Sequence, residues 1–406
     1  MYPTIFTIPW INRPIPGYGL MLMVAFLLAI IWATRRAMRS GANPDVILNC
    51  GFIALIAGVV GCRTMYVVHY WEQFAGRGHW LDVAWSVIDI SRGGMEFYGG
   101  FILASVCVTG YLVLWKHSLR WYLDIIAPSA ALGLAIGRIG CFLNGCCYGS
   151  VCHLPWAVTF PFGSPAAVEH WKARLPGAEL PQELLVFSEN GLAAPIFRES
   201  IAASDTRLAR AAQHEADLRA QWEELRRRAA AATAPAEKQR LEQQEKGLRV
   251  RVEAAVRELG DVRAQINKYH LTALQLRALA AAHRSLPVHP TQLYSTVAAG
   301  LLAALLDAVY WRRRRDGQVI CLLLMIEPPT RWVIELIRAD NPIDTAGLFT
   351  ISQFLAILLT AAGLVGWLVL GRLPARSPRA VLWEPSQEEP RPRQIRQAET
   401  KMAGRG

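Results

Sequence analysis

Charge is scarce in this chain. Asp, Glu, Lys and Arg make up 18% of the 406 residues while 53% are hydrophobic, and the mean hydropathy is +0.22. That average conceals two materials. Several runs of about 18–22 residues hold almost no charge, the length a helix needs to cross about 30 Å of bilayer. One long middle segment is instead rich in Ala, Arg, Glu and Gln. A soluble globule is thereby excluded, and a membrane protein with a polar insert is expected. Other absences narrow the reading. The first apolar run is followed by no small-residue cleavage site, and its arginines (Arg35, Arg36, Arg39) come after it. It is expected to remain as a span and not to be removed as a signal peptide. Nor does the net charge of +11 call for nucleic acid, because much of it sits in short loops that would face anionic lipid.

Seven spans are expected, at about 18–33, 45–70, 97–115, 122–142, 291–311, 319–337 and 347–370. The fold class is thus an all-α polytopic membrane protein with about seven transmembrane helices and an extracytoplasmic helical-hairpin insert. The basic loops "TRRAMR", "WKHSLR", "WRRRRDG" and "GRLPARSPR" all fall on one side. The positive-inside rule makes that side cytoplasmic. The N-terminus, the loop 71–92, the insert and the loop 339–346 then lie outside, and the C-terminus inside. The expected division is a membrane domain in two parts, 1–159 and 288–372, around an insert at 160–287, with a disordered cytoplasmic tail at 373–406.

The insert is Pro- and Gly-punctuated over its first forty or so residues. Helix-forming composition follows over about 199–232 and 236–283, with a turn at "ATAPAEK" between. A helical hairpin is expected, without a clear sustained heptad. It is either a solvated spacer or an arm that docks an unknown extracytoplasmic partner.

Four constellations carry polar chemistry near the outer ends of the spans. The first is "GRIGCFLNGCCYG" at 137–149. Its glycines allow close packing and irregular backbone beside a cavity. Arg138 there is either a snorkelling arginine or an anion clamp, since guanidinium offers phosphate a bidentate fork. In the second, "TRWVIELIRADNP", Arg331, Glu335 and Arg338 stand at i, i+4 and i+7, one face of a helix. That stripe must turn toward protein or water, as a structural ion-pair ladder or as a site. The third is "SRGGMEFYGGFI", where paired glycines around Phe97 and Tyr98 imply a tight or re-entrant entry into the bilayer. Tyr98 is either interfacial belt material or a site residue. The fourth, "HPTQLYS", opens span five with His289, Gln292 and Tyr294. Cys50, Cys62 and Cys107 fall within spans as small apolar residues. Cys141, Cys146, Cys147 and Cys152 cluster on the outer side with His153. Disulfides, buried thiols and a metal all remain open, although Cys-x4-Cys-Cys-x4-Cys-His is not the usual paired zinc spacing.

Together "GYGLM", "GGMEFYGGFI", "GRIGCFLNGCCYG", "HPTQLY", "RWVIELIR" and "GLFTISQ" occur in the order found in the bacterial prolipoprotein diacylglyceryl transferases, which the chain resembles over about 1–150 and 287–372. The resemblance implies a multi-pass enzyme of the bacterial inner membrane. Such an enzyme moves the diacylglyceryl group of phosphatidylglycerol onto the lipobox cysteine of a prolipoprotein, releasing glycerol phosphate, with no cofactor and no metal. It places the family's essential arginines on Arg138 and Arg331 and its first-span tyrosine on Tyr18. The signature asparagine and glycine fall on Asn144 and Gly149. Where many members carry histidine this chain has Tyr98, and where many carry asparagine and glutamate it has Cys141 and Cys146. Ser295 stands at a usually acidic position.

The chemistry fits independently of the resemblance. The substrate brings its own thiol, so the protein must favour the thiolate, align it with the glyceryl carbon and stabilise charge on the leaving phosphate. Arg138 and Arg331 are expected as phosphate clamps. Tyr98 and Tyr18 are candidates for proton relay or orientation, and Asn144, Gly149, His289, Gln292, Tyr294, Glu335 and Arg338 for substrate binding. Two rivals stand beside this: a degenerate homologue that binds phospholipid or lipoprotein precursors without turnover, and a membrane thiol–disulfide protein.

Overall fold

A computed structural model describes residues 4–8, 13–75, 80–89, 94–187, 191–202, 205–231, 235–257, 259–339 and 350–383. A hairpin of β1 (Thr4–Ile8) and β2 (Arg13–Pro16) is followed by helices α1 (Gly17–Ser40), α2 (Pro44–His69), α3 (Glu72–Ala75), α4 (Trp80–Ile88), α5 (Phe97–Leu114) and α6 (Leu119–Asn144). The middle of the chain forms α7 (Pro165–Lys172), the antiparallel pair β3 (Leu185–Phe187) and β4 (Ala193–Pro195), α8 (Arg198–Ile201), α9 (Asp205–Ala231), α10 (Pro235–Arg257), α11 (Gly260–Tyr269) and α12 (Ala273–Ala282). The last helices are α13 (Thr291–Arg312), α14 (Gln318–Glu335) and α15 (Ile351–Leu370).

Among the described residues six helices are long and apolar enough to cross a membrane: α1, α2, α5, α6, α13 and nearly all of α15. The seventh expected span is α14. It is helical but falls outside that set because it carries Glu327, Arg331 and Glu335. Large apolar side chains such as Phe52, Ile56, Val106, Leu301 and Leu368 point outward from these helices. Lipid makes such a surface favourable where water would not. The chain is an all-α polytopic membrane protein.

Two compact units divide it. One comprises Gly19–Ile139, Tyr294–Leu336 and Pro342–Gly406; the other Met1–Tyr18, Gly140–Leu293 and Ile337–Asn341. In the first, Ala37, Ile47, Leu112, Ile125, Leu306 and Val319 lie in one buried core. Helices α2 and α5 touch backbone to backbone: a Cβ on Gly61 would lie 2.4 Å from the Gly99 carbonyl oxygen, and one on Gly100 would lie 2.3 Å from Cys62 Sγ. The second glycine pair of "GGMEFYGG" therefore serves helix packing. The expected tight or re-entrant entry leads into one helix, Phe97–Leu114, with Gly94 left-handed (φ +79°) shortly before it; residues 90–93 lie outside the described ones.

Polar clamps fix the helix register of this unit. Arg36, expected in a charged loop, is 2% exposed within α1. Its Nε donates to Asp307 Oδ1 at 3.0 Å and its Nη1 to the Ile125 carbonyl at 2.8 Å and Ser129 Oγ at 3.1 Å. A buried charge is tolerable when it is paired and hydrogen-bonded in this way. Asp124 on α6 is fully buried and caps α14, accepting from the N–H groups of Gly317 (2.7 Å), Val319 (3.0 Å) and Ile320 (2.9 Å). It thereby satisfies donors that a helix start leaves unpaired. Arg63 holds the end of the 71–92 loop by donating to the carbonyls of Ser86, Val87, Asp89 and Gly94. The segment expected as a disordered tail begins with residues that are tied down. The Ala375 carbonyl accepts from Asp316 N–H at 2.8 Å, the Ser377 N–H donates to Asp316 Oδ2 at 2.8 Å, and the Trp383 N–H to the Gly41 carbonyl at 2.8 Å.

In the second unit α9 and α10 pair as a hairpin whose contact includes Leu218, Trp222, Leu248, Val252 and Ala255. The second long helix expected for the insert is broken into three. Leu259 and His270 take left-handed backbone (φ +56° and +52°), and a Thr272–Gln275 capping box restarts the chain as α12. These breaks let Val262 and Leu276 fold back onto Leu184, Ile196 and Leu208 in a small core. The insert leaves and returns through one doorway: the Ser285 N–H donates to the Phe160 carbonyl, and the Phe160 N–H to Ser285 Oγ, each at 2.8 Å.

Candidate active site

Two arginines act on one carboxylate in the first unit. Arg138 lies on α6. Arg331 lies on α14, four residues after Glu327 and on the same helical face. The Glu327 carboxyl, largely buried, feels the charge of both guanidinium groups. Arg331 also pairs with Glu335 at 3.2 Å and donates from Nε to Ser352 Oγ at 3.2 Å. Glu335 and Ser352 are buried. Arg138 is partly buried and makes no hydrogen bond with a described residue. Pro328 and Pro329 follow Glu327 within α14 and remove two N–H donors from the helix ladder. A membrane helix tolerates that where its backbone faces protein or water. Glu327 was missed in the sequence reading; its signal is the lone acid in the apolar run "ICLLLMIEPP".

Tyr98 is the second residue of α5. Its ring meets Phe97 edge-on at 5.9 Å, and neither a hydrogen bond nor an arginine contact reaches it among the described residues. Tyr294 is half-buried in the first turn of α13.

The remaining candidates belong to the second unit. There the signature stretch leaves α6 through a left-handed turn, Gly145 at φ +79° and Cys147 at φ +58°. It then runs extended. The Gly149 N–H donates to the His289 carbonyl at 3.0 Å, the His289 N–H to the Ser150 carbonyl at 3.1 Å, and the Ser150 N–H to the Ile337 carbonyl at 2.8 Å. Three separated stretches of sequence are thus laced together around Gly149. Only glycine fits there, since a Cβ would lie 2.6 Å from His289 Cβ and 2.9 Å from Thr291 Cγ2. Gln292 is 0% exposed and donates from Nε2 to the Cys146 carbonyl at 2.7 Å, and Thr291 Oγ1 donates to the Cys147 carbonyl at 2.6 Å. The "HPTQ" residues therefore hold the signature turn. Asn144 ends α6, two residues before Cys146. Tyr18, the second residue of α1, is 37% exposed.

The helical stripe Arg331–Glu335–Arg338 is corrected. Helix α14 ends at Glu335, and Arg338 instead pairs backbone to backbone with Gly149. Bonding to residues 148–150 competes with helix continuation and takes the chain out of it. The outer cysteine group is also smaller than its spacing implies. The Sγ atoms of Cys141, Cys146 and Cys147 lie within 4.8 Å of one another, while Cys152 is carried away on the extended segment, its N–H donating to Pro287. The structure forms no disulfide among the described residues.

Comparison with known proteins places this arrangement. Residues 3–369 match the family model described as prolipoprotein diacylglyceryl transferase. The phosphatidylglycerol–prolipoprotein diacylglyceryl transferase of Rhodopirellula baltica is 38% identical over 156 residues, 38% of this chain and 31% of that protein. The enzymes of the same name from Finegoldia magna (35% identical over 144 residues, 35% of this chain and 55% of that protein) and Chromohalobacter salexigens (37% over 147 residues, 36% and 52%) are similar too. The chain thus spans about a third to a half of the length of these curated relatives. The membrane helices, the laced signature glycine and a family match running from the first strand to the last helix lead to one conclusion: the chain belongs to the prolipoprotein diacylglyceryl transferase family.

Proposed function

We propose that this protein transfers the diacylglyceryl group of phosphatidylglycerol to the lipobox cysteine thiol of prolipoproteins and releases glycerol phosphate. The observation that carries the reading is that Arg138 and Arg331, on two different helices, both bring their charge to bear on the carboxyl of Glu327 in the membrane unit. Two guanidinium groups at one point repel, and Glu327 offsets that repulsion. A phosphate diester arriving there is met by the planar donor forks of two fixed guanidinium groups in a water-poor site. The substrate thiolate attacks the glyceryl carbon, the carbon–oxygen bond to phosphate breaks, and the arginines stabilise the charge that collects on the departing phosphate. Glu335 and Ser352 hold Arg331 in place, and Tyr98 orients substrate. The basic loops put the C-terminus in the cytoplasm of a bacterium and the insert outside its inner membrane, with the reaction on the outer side. Arg36 drops out of that charge count without changing its sign.

The test is release of glycerol phosphate from phosphatidylglycerol in the presence of a lipobox peptide. Arg138→Lys and Arg331→Lys should each cost about 10²–10³ in turnover, or about 3–4 kcal/mol, because an ammonium lacks the planar fork. Binding of lipid and peptide without release would favour the degenerate-homologue reading instead.

A further inference from the structure

Helix α6 stops in a way that brings sulfurs together. The N–H groups of Gly145 and Cys146 both donate to the Cys141 carbonyl, at 2.9 and 3.2 Å. Gly145 is left-handed at φ +79°, and a Cβ there would lie 3.0 Å from Phe160 Cδ1. A hydrogen bond spanning six residues around a left-handed glycine is a Schellman stop. It seats the side chain just beyond the glycine against the side chain five residues earlier. Apolar residues usually make that contact; here Cys141 and Cys146 occupy the two positions. Cys146 Sγ lies 3.8 Å from the Cys141 carbonyl oxygen. Cys147 follows, itself left-handed at φ +58°, a conformation that costs a residue with a Cβ. Gln292 and Thr291 hold the bend by donating to the carbonyls of Cys146 and Cys147 at 2.7 and 2.6 Å. The Sγ atoms of the three cysteines lie within 4.8 Å of one another, and the structure holds all three as thiols.

Geometry selects one pair. The 3.2 Å hydrogen bond from Cys146 to Cys141 keeps their Cα atoms within about 7 Å, the reach of a disulfide. Rotation of the two side chains is then enough to join the sulfurs. Cys146 and Cys147 are neighbours, and the planar trans peptide between them resists the small ring that their union would make. Cys152 is held away on the extended segment by its bond to Pro287. Cys146 and Cys147 are partly exposed, while Cys141 is buried.

We propose that Cys141 and Cys146 form a reversible disulfide by exchange with a disulfide-bearing thiol carrier on the outer side of the membrane. The outer placement rests on the orientation proposed above. Cys146 gives up its proton, and its thiolate attacks one sulfur of the carrier disulfide. The other carrier sulfur leaves as a thiolate and takes up a proton. Cys141 then gives up its proton and displaces the carrier from Cys146, and the second carrier sulfur leaves in the same way. Two protein thiols are oxidised and one carrier disulfide is reduced to two thiols. Cys147 stays reduced. Its sulfur, within 4.8 Å of both others, can displace Cys146 from Cys141, so the link is exchangeable. Oxidation locks the turn between α6 and Gly149, and reduction releases it.

The test uses the full-length protein in detergent, with glutathione in place of the carrier. After equilibration at set ratios of reduced to oxidised glutathione, acid quenching and denaturation, the thiols are alkylated with one reagent. The disulfides are then reduced and alkylated with a second. Thiols taking the first reagent should fall from all eight to six in oxidised glutathione, and return to eight in excess reduced glutathione. Fragment masses should place the second reagent on Cys141 and Cys146, with a minor share on Cys147. Hydrogen exchange at the Gly145 and Cys146 amides should slow by about tenfold or more on oxidation. Cys147→Ser should still lose two thiols and Cys141→Ser none; if either variant fails to fold, the label positions in the unaltered protein decide. Eight reactive thiols at every ratio, a linked pair that omits Cys141, or a link that excess reductant does not reopen would each overturn the proposal.

Discussion

Gly149→Ala tests whether the signature glycine is steric or chemical in its importance. The added methyl carbon would stand 2.6 Å from His289 Cβ, 2.9 Å from Thr291 Cγ2 and 3.0 Å from the His289 carbonyl oxygen. Carbon atoms settle at about 3.5–4.0 Å, so the strands must part by about 1 Å. That displacement falls on the Gly149–His289 and His289–Ser150 hydrogen bonds, now 3.0 and 3.1 Å. Overpacking costs about 1–3 kcal/mol, and each buried donor left unmade about 1–3 more. With partial relaxation the junction should lose about 2–4 kcal/mol, which is about 30- to 700-fold in its population. Thermal unfolding in detergent, read by intrinsic fluorescence, should show the loss, and turnover should fall with it. Thr291→Ser in the same chain removes the 2.9 Å contact and should recover part of both. A Gly149→Ala protein with unchanged unfolding temperature but lost turnover would refute the steric account.

Three further outcomes are expected. Tyr98→Phe deletes only the hydroxyl; if that group takes a catalytic part, turnover falls at least about 10²-fold, and wild-type behaviour across pH 6–9 would return Tyr98 to packing. Replacing residues 163–284 by a short linker should leave transfer to a peptide measurable, because the doorway residues Phe160 and Ser285 already stand together; an inert but membrane-inserted deletion would refute this. The third concerns His170 in α7, which burial pushes below the usual histidine range while its Nδ1 accepts from the Leu286 N–H. The unfolded chain binds the proton first as pH falls past about 6.5, so stability is full above that value and declines below it. His170→Gln should flatten that decline in unfolding measured between pH 5 and 8.

The apolar runs were legible because bilayer thickness dictates their length, and five of the expected spans match helices to within a few residues. What escaped the sequence depends on partners distant along the chain. Arg36 looks like one more loop charge until Asp307, 271 residues away, receives it. The i, i+4, i+7 spacing through Arg338 reads as helix, but strand-like bonding to residues 148–150 overrides it. Left-handed Leu259 and His270 break a segment of high helix propensity because a small core rewards the fold-back. In the candidate site the arginines were visible as charges in hydrocarbon. Glu327 stood out as the lone acid of its apolar run and was passed over, whereas the grip of Gln292 on the signature turn has no local signal.

The cap at Asp124 works like the pivot of a pair of dividers. It pins the start of α14 to α6, and from that pivot each leg runs about fourteen residues, or about 21 Å, to its point: Asp124 to Arg138 along one, Gly317 to Arg331 along the other. Legs of equal length carry both points about the same distance from the pivot, and the charge of each is felt at Glu327. The separation of the two arginines is therefore governed from the far ends of their helices. Loosening the pivot, as in Asp124→Ala, would let one point slide past the other while leaving both arginines and Glu327 unchanged.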